Sequence, residues 1–530
     1  VIRRAGLLLA FAAVSVAAAG PAGLTGLDGR PDAIVDLRTA EGARAVGAVW
    51  KYANATIVPI DFHAPGPDHK PSGPPSKTFD IVPRAAGAAF DDGSWDTLDP
   101  TMLEARRTSG KLAFGWYRLK LTIPARLGPF ETAGTTAVLE IVVDDYAEIS
   151  VNGAMPVVIG GGGTLGATIR GYNSPHRVIV ARDVKPGQTV SVAVLGINGP
   201  FSDLPSNYVW VRSATLDFYR SERIAEAHAA AGTIERLDPA LDEIVAASSP
   251  IERLATGFQF TEGPVWHPDG YLLFSDPNAN TIYRLTPDGD LSVFRPKSGY
   301  SGLDVGAYGQ PGSNGLALDR EGRLTIDEHG NRRVTRLERN GTLTVLADRF
   351  EGKRLNSPND LVYRSDGALY FTDPPFGLPK FFDDPGKELP FSGIYRFQDG
   401  RLTLLARELT GPNGLAFSPD EGFLYVGNWD TSRKIVMRYP LRPDGTLGSG
   451  TVFFDMKGAP EPEALDGLKV DRLGNLFVSG PGGVWILSPD GKHLGTIKAP
   501  ELPANFAFGG DDRKTLYMTA RTGVYRLRLK

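Results

Sequence analysis

The chain has 530 residues, a length that exceeds a single ordinary core and predicts two or three domains. Its 57 Lys and Arg against 61 Asp and Glu leave a formal net charge of -4, so there is no electrostatic footprint for nucleic acid or an acidic membrane surface. The lack of cysteine excludes disulfides, thiolate metal sites and a cysteine nucleophile, and 63 Gly with 41 Pro spread along the chain predict many short strands and turns, an all-β composition.

Arg3-Arg4 precede an apolar run, Ala5 to Ala19, that ends in Ala17-Ala18-Ala19 before Gly20. This order of basic, apolar and small residues predicts a secretory signal peptide over residues 1–20 and an exported protein, periplasmic or secreted. No later apolar run reaches membrane-spanning length, so no membrane span is expected. Residues 21–78, rich in Gly, Pro, Ala and Asp, read as a partly ordered lead-in with one strand at Ala53 to Phe62.

Residues 79–220 carry short strands with turn punctuation, among them Trp116 to Ile123, Ala137 to Val143, Arg177 to Ala181, Thr189 to Leu195 and Val209 to Phe218. That spacing fits a β-sandwich. FDDGSWDTL (Phe90 to Leu98), GWYRLKLTIP (Gly115 to Pro124), YAEISVNG (Tyr146 to Gly153) and VKPGQTVSVAV (Val184 to Val194) resemble the jelly-roll, galactose-binding-like domain that accompanies many glycoside hydrolases. The resemblance implies a carbohydrate ligand, with Trp95, Trp116 and Trp210 as stacking candidates, although aromatics more often fill sandwich interiors. Gly161, Gly163 and Gly166 fit G-x-G-x-x-G, but no helical pattern follows and a loop is expected there. Residues 221–250 are rich in Ala and Glu, with Asp238-Pro239 as a helix start, and predict a linker of two short helices.

Residues 251–530 repeat one pattern six times: a polar residue at a strand mouth, an apolar strand, a turn, a second strand, a third strand of the form I/V-Y-R-L, a turn and a fourth strand. The mouth residues are Glu262, Asn314, Asn359, Asn413, Asp466 and Asn505, at intervals of roughly 40–55 residues. This is the period of a four-stranded propeller blade. The last copy supplies only three strands before Lys530, and Ile251 to Phe258 can provide the fourth, which predicts a closed six-bladed ring. The first strand of each blade lines the central channel, so the six mouth residues should converge. Two carboxylates and four amides are hard oxygen donors suited to Ca²⁺.

FTEGPVW (Phe260 to Trp266), EHGNRRV (Glu328 to Val334), NSPNDLV (Asn356 to Val362), GPNGLAF (Gly411 to Phe417) and LDGLKVD (Leu465 to Asp471) together resemble the gluconolactonase, or senescence-marker-protein (regucalcin-like), family of six-bladed lactonases. The resemblance implies a divalent metal, Ca²⁺ before Zn²⁺, Mn²⁺ or Mg²⁺, held by Glu262, Asn413 and Asp466, with Asn359 as a further ligand or a contact through water or substrate. It also implies a sugar lactone as substrate, its carbonyl polarised by the ion, and Asp466 or metal-bound hydroxide as the activator of water. Asp466 and Asn359 are the catalytic candidates. His329, Asn314 and Asn356 are candidates for substrate contact, and the insertions Pro296 to Pro311 and Pro375 to Pro390 are candidate pocket walls. G-x-S-x-G and H-E-x-x-H are both missing, which disfavours serine hydrolase and zinc protease chemistry. An organophosphate or aryl esterase on the same site, and a carbohydrate-binding propeller without catalysis, are the alternative readings.

Overall fold

The computed structural model describes residues 27, 31–63, 75–156, 169–170, 174–199, 207–222, 232–287, 289, 291–302 and 304–530. The expected signal peptide, the Gly161 to Gly166 motif and most of the first linker helix lie outside these residues. Among them no helix is long and apolar enough to cross a membrane.

The N-terminal part forms two antiparallel sheets. One runs in the order Ala33–Asp36, Asn207–Tyr219, Thr136–Asp144, His176–Ala181, with Arg107–Gly110 also pairing Asn207–Tyr219. The other runs Ile169–Arg170, Tyr146–Val151, Thr189–Asn198, Ala113–Thr122, Val49–Asn54, Asp96–Leu98. Alternate residues of both sheets, including Trp50, Tyr117, Leu119, Leu139, Val178, Val192 and Leu216, form one buried cluster between them. The segment expected as a lead-in therefore carries Ala33–Asp36 and Val49–Asn54, one strand of each sheet. The single strand expected at Ala53 to Phe62 is two strands: after Asn54 the chain leaves its sheet, and Thr56–His63 pairs with Pro75–Val82 as a separate hairpin. Trp116 is buried in a second cluster and donates Nε1–H to Pro83 O at 2.8 Å. Trp95 packs against Phe90, and Trp210 carries the Arg106 guanidinium over its ring.

The C-terminal part is a six-bladed propeller of four-stranded antiparallel sheets. Blades 1 to 4 open with the inner strands Glu262–His267, Ser313–Leu318, Leu361–Tyr363 and Pro412–Phe417, each followed outward by three strands in chain order. Blade 5 opens with Leu468–Val470 and blade 6 with Asn505–Gly509. Blade 6 takes its outer strand from Ile251–Thr256, which pairs antiparallel with Gly523–Arg528, so the two ends of the propeller sequence close the ring in one sheet. Blade 5 gains a fifth, outermost strand, Thr233–Arg236, paired with His493–Lys498. This corrects the helical reading of the linker at residues 233–236, whereas the helix start expected at Asp238-Pro239 is met by a short 3₁₀ helix. After this strand the chain makes a 3₁₀ turn, Pro239–Glu243, with the Asp238 side chain accepting from Ala240 N–H. T-I-E-R alternates with period two, and an open blade edge rewards that pattern more than the helix propensity of its Ala-rich flanks.

Each blade packs on the next through apolar side chains that alternate along the second and third strands. Leu254 of the closing strand joins Phe258, Phe274, Tyr283 and Val524 in the cluster between blades 6 and 1. Leu254→Ala should therefore weaken ring closure by about 2–5 kcal/mol, measured by urea unfolding. A loss well under 1 kcal/mol would show that the ring holds without this strand.

Candidate active site

The site begins with the loops that lead into the inner strands. In blades 1, 3 and 4 the residue ending the second strand turns back to hold the loop ahead of the mouth. Asp276 accepts from Gln259 N at 2.8 Å and Phe260 N at 3.2 Å. Asp373 accepts from Asn356 N and Ser357 N, both at 2.8 Å, and Asn428 Oδ1 accepts from Gly411 N at 3.1 Å. Burial raises the Asp276 and Asp373 carboxyls, to about 6 and about 7, against the stabilising pull of these N–H donors. Arg332 completes the blade 3 loop by donating Nε–H to Leu355 O at 2.7 Å. Glu262, Asn359 and Asn413 thus follow within three residues of an anchored backbone.

The six mouth side chains converge at one end of the channel. His329 Nε2 lies 3.2 Å from Asn359 Oδ1, Asn359 Nδ2 donates to Asn413 Oδ1 at 2.7 Å, and Asn413 Nδ2 donates to Asp466 Oδ1 at 2.9 Å. On the other side Asn505 Nδ2 donates to Glu262 Oε2 at 3.1 Å and to Asp360 Oδ2 at 3.3 Å. Lys469 Nζ donates to Asp360 Oδ2 at 3.3 Å and to Asn505 Oδ1 at 3.2 Å. Glu262, Asn314, Asn359, Asn413 and Asp466 face a cavity of about 300 Å³, with Phe260, Phe376, Phe381 and Trp429 on its apolar wall and Gln310, Thr431, Glu463 and Arg521 around its polar part.

Burial and the neighbouring Asp466 charge push the Glu262 carboxyl well above its ordinary range, and burial raises Asp466 as well. The two carboxylates therefore resist being ionised together. Asp360 is matched by Lys469, whereas Glu262 and Asp466 make no salt bridge among the described residues. Asn314 Oδ1 is buried beside them without a hydrogen-bond partner. Two facing carboxylates and a bare amide oxygen are a donor set that fits a divalent cation. His329 is wholly buried, and desolvation lowers its imidazole to about 4.

Residues 260–522 match the model of the SMP-30/gluconolactonase/LRE-like region. The chain is 40% identical to the gluconolactonase of Zymomonas mobilis over 311 residues, 56% of this chain and 86% of that one. The chain belongs to the SMP-30/gluconolactonase family. It is 28% identical to the pentonolactonase of Haloferax volcanii, over 51% of this chain and 84% of that one. The solved gluconolactonase of Xanthomonas campestris superposes with a TM-score of 0.51 at 32% identity, covering 57% of this chain and 97% of that one. Like these family members, the protein is a lactone-hydrolysing enzyme. The family match starts at residue 260, so the N-terminal sheets lie outside it.

Within this gluconolactonase-type propeller, the sequence column is brought together at the cavity except for Asn505, which sits one step back and bridges Glu262 to Asp360. His329 and Asn356, expected to touch substrate, do not line the cavity. His329 stands behind Asn359, and Asn356 donates Nδ2–H to Asp373 O and Phe391 O, both at 2.9 Å, as loop support. Of the two insertions, Pro375 to Pro390 brings Phe376 and Phe381 to the cavity, and Pro296 to Pro311 brings Gln310 while Tyr300 and Tyr308 pack on each other. Asp360, Lys469, Glu463 and Arg521 escaped sequence reasoning. Asp360 and Lys469 stand inside the quoted motifs NSPNDLV and LDGLKVD, where the charged residue just past a mouth was the available signal.

A carboxyl whose folded-state pKa is raised binds extra protons in the folded chain, so its contribution to stability falls as pH rises from about 4 toward the raised value. In chelator-treated protein, Asp466→Asn or Glu262→Gln should therefore raise the unfolding temperature at pH 8, the stability gain being about 1.4 kcal/mol per pKa unit of relieved shift. The gain should shrink at pH 5, where the wild-type pair already shares a proton. Calorimetry at both pH values checks this, and equal destabilisation at both would remove the repulsion argument.

Proposed function

We propose that the enzyme opens a sugar lactone of the gluconolactone kind by hydrolysis in this cavity, with Glu262, Asn359, Asn413 and Asp466 holding one divalent cation, Ca²⁺ by preference. The observation that carries the reading is the meeting of two carboxylates and two amide oxygens, from four blades, on the wall of one cavity. Both amide oxygens already accept one hydrogen bond and retain a second lone pair for a ligand. All the donors are oxygens, which favours Ca²⁺ over metals that seek nitrogen or sulfur. When bound, the cation polarises the lactone carbonyl and stabilises the charge that develops on its oxygen.

The chain's own residues supply the remainder. Asp466, held at Oδ1 by Asn413, orients the attacking water and accepts its proton through its other oxygen. Phe260, Phe376 and Trp429 cover the apolar face of the ring and exclude bulk water, and Phe376 and Trp429 brace each other edge-on at 5.0 Å. Asn314, Gln310, Thr431 and Glu463 offer hydrogen bonds to hydroxyl groups around the ring. A volume of about 300 Å³ suits one sugar ring with its substituents. The relatives are described as acting on gluconolactone and pentonolactone, lactones of this class. The basic-apolar-small order of residues 1–20 supports an exported enzyme.

Hydrolysis of glucono-δ-lactone followed in a pH-stat tests the reading. The Ca²⁺-loaded protein should turn it over faster than an aryl ester or an organophosphate, chelation should abolish turnover, and Asp466→Asn should lower kcat/KM by about 10²–10⁴-fold. Full activity in the presence of chelator would remove the cation from the scheme. An organophosphate turned over faster than any lactone would reassign the substrate.

A further inference from the structure

The hydrogen bonds of the series His329–Asn359–Asn413–Asp466 run in one direction. The Asn413 amide nitrogen donates to Asp466 Oδ1 at 2.9 Å. The Asn413 oxygen then points the other way, toward Asn359, which must present its own nitrogen across 2.7 Å. The Asn359 oxygen in turn faces His329 Nε2 at 3.2 Å, and that ring nitrogen must donate. His329 Nδ1 is buried without a hydrogen-bond partner, so it stands as the bare nitrogen of the ring. Each link's direction follows from its neighbours, and among the described residues His329 Nε2 is the donor at the head of the series.

The ring is built in tightly. A Cβ on Gly377 would lie 2.4 Å from the His329 Cβ, so the loop after blade 3's second strand lies flat against the histidine. That loop is tied down by Gly377 N donating to Ser357 Oγ at 2.8 Å, two residues before Asn359. His329 does not line the cavity, and its hydrogen bond toward the cavity wall is the one to Asn359.

We propose that His329 is a positioning residue: as the Nε2–H tautomer it locks the amide orientations of Asn359 and Asn413 and, through them, the rotamer of Asp466. Without that donor, Asn359 Oδ1 loses its buried partner and either amide can turn over. A turned Asn413 sets an oxygen against the Asp466 carboxylate and drives the carboxylate out of line for water. This role rests on the lactonase reading for its kinetic consequence, and on geometry alone for the tautomer.

The test combines two variants with a spectroscopic readout. His329→Gln keeps an amide donor at about the reach of Nε2, whereas His329→Phe keeps the bulk and removes the donor. In the Ca²⁺-loaded enzyme His329→Phe should lower kcat about 10–100-fold with KM changed less than about threefold, and His329→Gln should keep kcat within about fivefold of wild type. Nitrogen-15 spectra of full-length protein labelled at histidine should contain one imidazole with protonated Nε2 and bare Nδ1 at pH 7, with its signals missing from His329→Phe. An unchanged kcat in His329→Phe, an equal loss in both variants, or a His329 ring protonated at Nδ1 would each overturn the proposal. If the wild-type protein hydrolyses no lactone, the activity reading fails by itself, and the nitrogen spectrum still decides whether the chain runs in the stated direction.

Discussion

The rest of the site depends on how closely the inner strands approach one another around the channel. In blades 1, 2, 4 and 5 the mouth residue is followed by glycine, and in each a Cβ would collide with the next blade. At Gly263 it would stand 1.8 Å from Asn314 O, and at Gly315 2.6 Å from Asn359 O. At Gly414 it would stand 2.3 Å from Leu468 N, and at Gly467 2.3 Å from Asn505 Cγ. The freed space is used by backbone bonds between blades: Gly315 N donates to Asn359 O at 2.7 Å and Gly414 N to Asp466 O at 3.1 Å. With the backbones in contact, side chains on successive mouths fall within hydrogen-bond reach without long side chains to span the gap. The E-G, N-G and D-G pairs of the sequence are thus one device, a polar side chain set beside a close backbone approach.

Crowding polar groups into a dry channel has an energetic consequence. Amides tolerate it because each has both a donor and an acceptor to share, and the His329 to Asp466 series uses them in order. Carboxylates tolerate it only with a countercharge. Asp360 has Lys469 at 3.3 Å and the N–H of Leu361 at 2.9 Å. Glu262 and Asp466 lack one: burial pushes both toward the protonated form, and the neighbouring Asp466 charge adds to the push on Glu262. The strain is local, and it sits on the wall of the cavity of a lactone-hydrolysing enzyme.

Much of this was legible because the repeat is regular. Lining up six strand mouths isolates a column that no single motif would show, and the third strands fall where the I/V-Y-R-L pattern puts them, as with Val524 to Leu527 inside Gly523–Arg528. The features that stayed hidden are those that depend on contacts between blades. Lys469 sits three residues past Asp466 and looks like an ordinary polar position on a strand, until Asp360 from blade 3, two places round the ring, is placed beside it. His329 stands at the end of a second strand, outside the mouth column, and its importance comes only from lying against Asn359. Thr233–Arg236 was disguised by Ala-rich flanks, since a strand added to an open edge is specified by the edge as much as by its own four residues.

The charge balance of the channel also bears on the valence of the cation it suits. Four carboxylates, Glu262, Asp360, Glu463 and Asp466, converge with Lys469 and with the Arg521 guanidinium, which lies exposed at the rim of the cavity and lowers Asp466 only as the last of several influences. Setting the two cations, Lys469 and Arg521, against the four carboxylates leaves two negative charges. A monovalent ion would leave one carboxylate buried and unmatched, the arrangement that interiors penalise most. A trivalent charge would overcompensate and bind the anionic product of lactone opening tightly enough to slow its release. A divalent ion would neutralise the pair and leave the product carboxylate facing a site close to neutral. The same balance makes the ring-opened acid a weaker ligand than it would be beside a net cation, which favours turnover over product inhibition.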